Sequence, residues 1–163
     1  MKIIVLGVGN ILLTDEGVGV RAVEQLGHDY RLPPEVEIID GGTTGMEMLE
    51  DLSGVDHLII VDAVRSGKPP ATMVRIAGDD VPVFFKTKLS PHQIGLSDVL
   101  ATLAFMGEQP GSITVIGVEP ASLGTAMALS PQVEALLPRV VAQLATEIRA
   151  LGVAVEPLIA EAC

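Results

Sequence analysis

Apolar residues along this chain fall into short unbroken runs, with longer stretches of helical spacing between them. The runs at 3–6 and 57–64 are rich in Ile, Val and Leu, the composition of buried strands, and short strands are also expected over 36–39 and 113–118. Between the strands at 3–6 and 36–39, Val18, Ala22, Val23 and Leu26 recur at helical spacing, which predicts a helix over 16–26 that closes near Gly27. Leu96, Val99, Leu100 and Leu103 predict another over 96–105. The last helix is predicted from Pro131 to 151, with Val133, Leu136, Leu137, Val140, Val141, Leu144 and Ile148 inward and Pro138 inside it. A short helix after Thr43 and Thr44, one of which would cap it, should turn Met46, Leu49 and Leu52 inward before Gly54 stops it. Residues 71–76 alternate enough for an edge strand, antiparallel to its neighbour. Residues 81–89, with two Phe and two Lys, are expected to pack over the sheet edge. From Gly152 onward a flexible tail is expected, within a single α/β domain over 1–163. Strands alternating with helices in this way predict a doubly wound, mostly parallel sheet.

The chemistry gathers where those strands end. After the first run come Gly7 and Gly9, then Asn10, Thr14, Asp15 and Glu16. Gly7-Val8-Gly9 imitates a dinucleotide fingerprint, but Leu12 stands where the third glycine belongs. Asp15 and Glu16 would also oppose a pyrophosphate at the helix N-terminus. The plainer reading makes Thr14 or Asp15 a helix cap. The sharper one makes the acids oxygen ligands at the mouth of the sheet. Asp40 ends the second strand in a Gly-Gly-Thr-Thr-Gly loop and keeps a ribose contact conceivable. Asp62 closes the most apolar strand, where a carboxylate is costly unless paired, hydrogen-bonded or metal-bound. His92 lies in the loop expected over 90–95, ahead of the third helix, and gains interest only if that loop returns to the same mouth. Glu16, Asp62 and His92 would then share the carboxyl edge of a parallel sheet, where open α/β sheets place their sites. Two carboxylates and an imidazole suit nickel, zinc or manganese.

Composition narrows the partners. Twenty-one acids against ten bases give a net charge of −11, which excludes nucleic acid as a natural ligand and favours a cation or a basic protein. One cysteine, Cys163, rules out a disulfide within the chain and a thiolate metal cluster. No apolar window reaches the length of a membrane span and no leader pattern opens the chain, so a cytoplasmic protein is expected.

Several short motifs occur in a fixed order: Gly7-Val-Gly9-Asn10 with Asp15-Glu16-Gly17, Asp40-Gly-Gly-Thr43 with Gly45, and Asp62-Ala63. They continue through Ser90-Pro-His92, Gly117-Val-Glu-Pro120 and Leu129-Ser130-Pro131. In this the chain resembles the endopeptidases that mature the large subunit of nickel–iron hydrogenases, most of all the branch serving uptake-type enzymes. The resemblance implies a three-layer α/β/α sandwich with a mixed, mostly parallel five-stranded sheet. It implies that Glu16, Asp62 and His92 bind nickel, and that Asp40 serves substrate binding or the shape of the site. The reaction implied is removal of a C-terminal extension from the large-subunit precursor after nickel insertion; a monomer is expected. Two mechanisms are compatible with the residues: metal assistance, or recognition by metal with Asp15, Asp40 or Glu16 as base. A metallochaperone using the same ligands but cutting nothing is the alternative.

Overall fold

In the computed structural model, which describes residues 1–86 and 91–158 (for Pro91 and His92 the backbone only), the predicted runs become the strands of one sheet. The order is β1 (Ile3–Val8), α1 (Val18–Asp29), β2 (Tyr30–Arg31), β3 (Val36–Gly42), α2 (Leu49–Leu52) and β4 (His57–Ala63). There follow β5 (Met73–Ala77), α3 (Asp80–Lys86), α4 (Pro91–Met106), β6 (Ser112–Val118), α5 (Pro131–Ala150) and β7 (Glu156–Pro157). The sheet runs β3-β1-β4-β6-β5. Its first four strands are parallel and β5 joins the β6 edge antiparallel.

Both faces of the sheet are covered, which explains the unbroken apolar runs. Ile3, Val5, Ile59, Val61, Ile116 and Val118 pack beneath α1 and α5. Their alternates Ile4, Leu6, Leu58, Ile60 and Val115 pack against α2, α3 and α4 through Leu52, Phe84, Leu96, Val99 and Leu103. Successive strand residues point to opposite faces, so each strand feeds two cores. The architecture is the expected three-layer sandwich.

Several local expectations are corrected. The first helix is preceded by a 3-10 turn, Thr14–Gly17, and its α-helical part runs on to Asp29. Met48, not Met46, faces inward; Met46 is exposed, and neither Thr43 nor Thr44 caps that helix. The Thr44 hydroxyl instead donates to the Gly41 carbonyl, 2.6 Å away. Residues 80–86 form a helix with Val81 and Phe84 buried; the rest of that stretch lies outside the described residues. α4 begins at Pro91, so the backbone of His92 is helical rather than in a loop. Beyond Gly152 the chain stays docked as far as Leu158. Val153 and Val155 are buried and β7 pairs antiparallel with β2, because the apolar side chains gain more by burial than the short segment loses in freedom.

Candidate active site

The loop after β1 is folded tightly onto the strand end. Gly9 has φ +128°, and a Cβ placed on it would stand 1.9 Å from the Glu16 carbonyl oxygen and 3.7 Å from Asp62 Oδ1. Only glycine admits that approach. The Glu16 backbone and the Asp62 carboxylate thus face the same spot from two sides. Glu16 itself is half-buried.

Asp15 and Thr14 do something other than capping. Asp15 is fully buried and its two oxygens accept four hydrogen bonds. The N–H groups of Ala121 and Ser122 donate to Oδ2 at 2.9 Å each, the Ser130 N–H to Oδ1 at 2.8 Å, and the Ser130 hydroxyl to Oδ2 at 2.7 Å. Ser130 is the N-cap of α5, accepting from the Val133 N–H. Asp15 therefore clamps the loop after β6 and the start of α5 to the loop after β1. Thr14 adopts φ 52° and its hydroxyl donates to the Gly124 carbonyl. Neither side chain caps the first helix, since neither makes a side-chain bond there.

Asp62 sits in register with Gly117 near the carboxyl end of β4 and is only 2% exposed. A buried carboxylate demands donors. One is Gln93, in the first turn of α4, whose side-chain Nε2 donates to Asp62 Oδ2 at 2.7 Å and to the Ala63 carbonyl at 3.2 Å. The chain therefore brings the start of α4 to the end of β4. The His92 side chain lies outside the described residues; in the chain it directly precedes Gln93.

Asp40 is placed differently. It lies two residues before the end of β3, opposite Gly7 of β1, and is exposed. Two strand spacings, about 10 Å, separate β3 from β4, which puts Asp40 at the rim, not beside Asp62. Leu12, Met46, Ile94 and Met127 are exposed apolar side chains.

Carboxylates such as those of Glu16 and Asp62 are the donor type that a divalent or borderline cation takes; across Gly9 it is the Glu16 backbone carbonyl that faces the Asp62 carboxylate. Among the described residues no three His, Cys, Asp or Glu side chains cluster tightly enough to hold a metal by themselves.

Comparison with known proteins decides the family. Residues 20–147 match the model of the hydrogenase maturation proteases. The chain belongs to that family. It is 51% identical to the hydrogenase 2 maturation protease of Escherichia coli K12 over 158 residues, 96% of each chain. It is 41% identical to the hydrogenase expression/formation protein HupD of Rhodobacter capsulatus, over 94% of this chain and 74% of that one. Among solved structures, the E. coli hydrogenase maturating endopeptidase HybD superposes with a TM-score of 0.93 at 50% identity, covering 97% of this chain and 98% of that one.

For a maturation protease the glycines after β1 take on a different meaning from a nucleotide cradle. A Cβ on Gly7 would meet the Gly19 carbonyl at 2.5 Å, and one on Gly19 the Val61 carbonyl at 2.1 Å. The bare faces of Gly7, Gly9 and Gly19 are filled by this chain's own backbone, so the fingerprint arises from packing of α1 onto the sheet. An enzyme of this family also displaces the metallochaperone alternative. Sequence reasoning missed Gln93 and the clamp made by Asp15. Gln93 left a signal: it shares the buried stripe of Leu96, Val99 and Leu103, a polar residue on an apolar face. Asp15 left none, because its partners are more than 100 positions away.

Proposed function

We propose that this protease removes a C-terminal extension from a hydrogenase large-subunit precursor once nickel has been inserted, gripping the loaded precursor through Glu16, Asp62 and His92. The observation that carries the reading is Asp62: a carboxylate buried at the end of the central strand, held by a glutamine amide and facing the Glu16 turn. Nickel enters as part of the substrate, already seated in the precursor. A cation so placed polarises a neighbouring carbonyl and makes a bound water more acidic.

Hydrolysis adds water across one peptide bond, leaving a new carboxylate on the precursor and an amine on the released extension. The proton from the attacking water needs a carboxylate within reach as its acceptor. Asp15 is unsuited, because all four of its hydrogen bonds are already spoken for in a site closed to solvent. Glu16 and the exposed Asp40 remain, Asp40 from the rim where the extension would cross. The chain would act as a monomer in the cytoplasm, a setting consistent with its single cysteine. Mass spectrometry of nickel-loaded precursor after incubation with the protein tests this. Loss of a C-terminal peptide supports it, and an unchanged mass contradicts it.

A further inference from the structure

We infer that Gln93 is a positioning residue for this reaction: its side-chain amide fixes the orientation in which Asp62 meets the substrate. The inference rests on the reading of Asp62 given above and adds a residue to it.

Gln93 is 6% exposed, and a buried primary amide is tolerated only when its donors are satisfied. Nε2 carries two hydrogens and has two acceptors within reach, Asp62 Oδ2 and the Ala63 carbonyl. Both partners are acceptors, so the orientation of the amide follows from chemistry: the oxygen turned the other way would face two oxygens. A carboxylate whose Oδ2 is tied at 2.7 Å, beside a second bond to the next residue's carbonyl, loses the rotation about its terminal torsion that an aspartate otherwise keeps. Oδ1 is then directed to the Gly9 side, where the Glu16 turn lies.

The same two bonds join α4 to the end of β4, but they are not what holds α4 to the protein. Leu96, Val99 and Leu103 are completely buried along its inner face, and their burial anchors the helix body. Losing the amide should therefore disturb the aim of Asp62 far more than the fold. Groups that orient a metal-binding carboxylate are typically worth 10- to 100-fold in affinity or activity, because a site loosened by less than an ångström loses its alignment.

The test uses Gln93→Met, which keeps the length and removes the donors. Gln93→Asn keeps an amide but withdraws it by one methylene. Asp62→Asn is run alongside. Each is assayed for nickel binding by calorimetry, for kcat and KM on nickel-loaded precursor, and for thermal melting. The expected result for both Gln93 variants is cooperative melting with kcat/KM on nickel-loaded precursor lowered 10- to 100-fold per folded molecule. Nickel affinity per folded molecule should fall by a similar factor. A purely structural role would lower the folded fraction and leave affinity and kcat/KM per folded molecule at wild-type values, which overturns the inference. Should Gln93→Met fail to fold, the Asn variant carries the same comparison. If Asp62→Asn cleaves as the wild type does, the reading of Asp62 itself has failed. If Asp62→Asn is inactive while either folded Gln93 variant is fully active, only the role of Gln93 is wrong.

Discussion

Two buried aspartates show how one residue type is put to different uses by its neighbours. Asp15 and Asp62 are both almost inaccessible. Asp15 is saturated by four donors from one distant loop, so its charge is spent on holding the fold. Replacing it by alanine would strand the Ala121, Ser122 and Ser130 donors. Bonds to a charged group are worth about 1.5–3 kcal/mol each, so a loss of at least about 3 kcal/mol is expected in denaturant unfolding, with activity falling as the loop detaches. Asp62→Asn should behave differently. Its remaining oxygen can still accept from Gln93, so melting should stay close to wild type while precursor cleavage is lost. Melting curves beside cleavage assays separate the two. Alanine at position 62 is the poorer test, since it would leave the Gln93 amide buried and unpaired at a cost of about 1–3 kcal/mol.

At the scale of elements, the sequence announces whatever is repeated locally and hides whatever is closed over distance. The inner parallel strands β1 and β4 are legible because both of their faces are buried and their apolar runs are long, and β6 is apolar towards its buried end; β3, at one edge of the sheet, interrupts its run with the exposed Glu37, and β5, at the other, is legible by its alternation. The start of α1 is not, because Thr14 and Asp15 look like caps and spend their side chains on residues 121–130 instead. The C-terminal stretch reads as a tail because two buried valines and a two-residue strand are too short to leave a period. Truncation after Gly152 should thus cost stability, not merely trim the chain. Burying Val153 and Val155 is worth about 1.5–3 kcal/mol each as an upper estimate, and calorimetric melting should show the drop.

The turn ahead of α2 offers a pH signature. Its own backbone N–H and then that of Gly45, 2.9 Å away, hold the Glu47 carboxyl below the ordinary carboxylate range. A depressed folded pKa means a contribution fully present above the usual glutamate value of about 4.3 and lost as pH falls below it. NMR titration of the Gly45 amide should therefore show a transition on the acid side of that value, absent in Glu47→Gln.

Across the whole molecule, three crossovers bring chemistry from separate parts of the sequence to one sheet edge. The motifs were legible one by one, and the parallel topology places Asp62 and Glu16 around Gly9. Asp40 shares the edge but stands two strands from Asp62, a separation that no spacing in the sequence reveals. Because the glycine faces are filled by protein and Asp15 and Glu16 lie at the helix start, calorimetry should find no saturable binding of NAD or NADP.

The central claim is that the carboxylates of this edge recognise nickel already seated in the precursor. Glu16, Asp62 and His92 offer no thiolate, so the free enzyme should hold nickel weakly, and a loaded precursor would complete a coordination sphere that neither partner supplies alone. The direct measurement is the rate at which chelator-stripped enzyme cleaves nickel-loaded and metal-free precursor, followed by mass spectrometry. The account predicts cleavage of the loaded precursor and little or none of the empty one; equal rates on the two would contradict it.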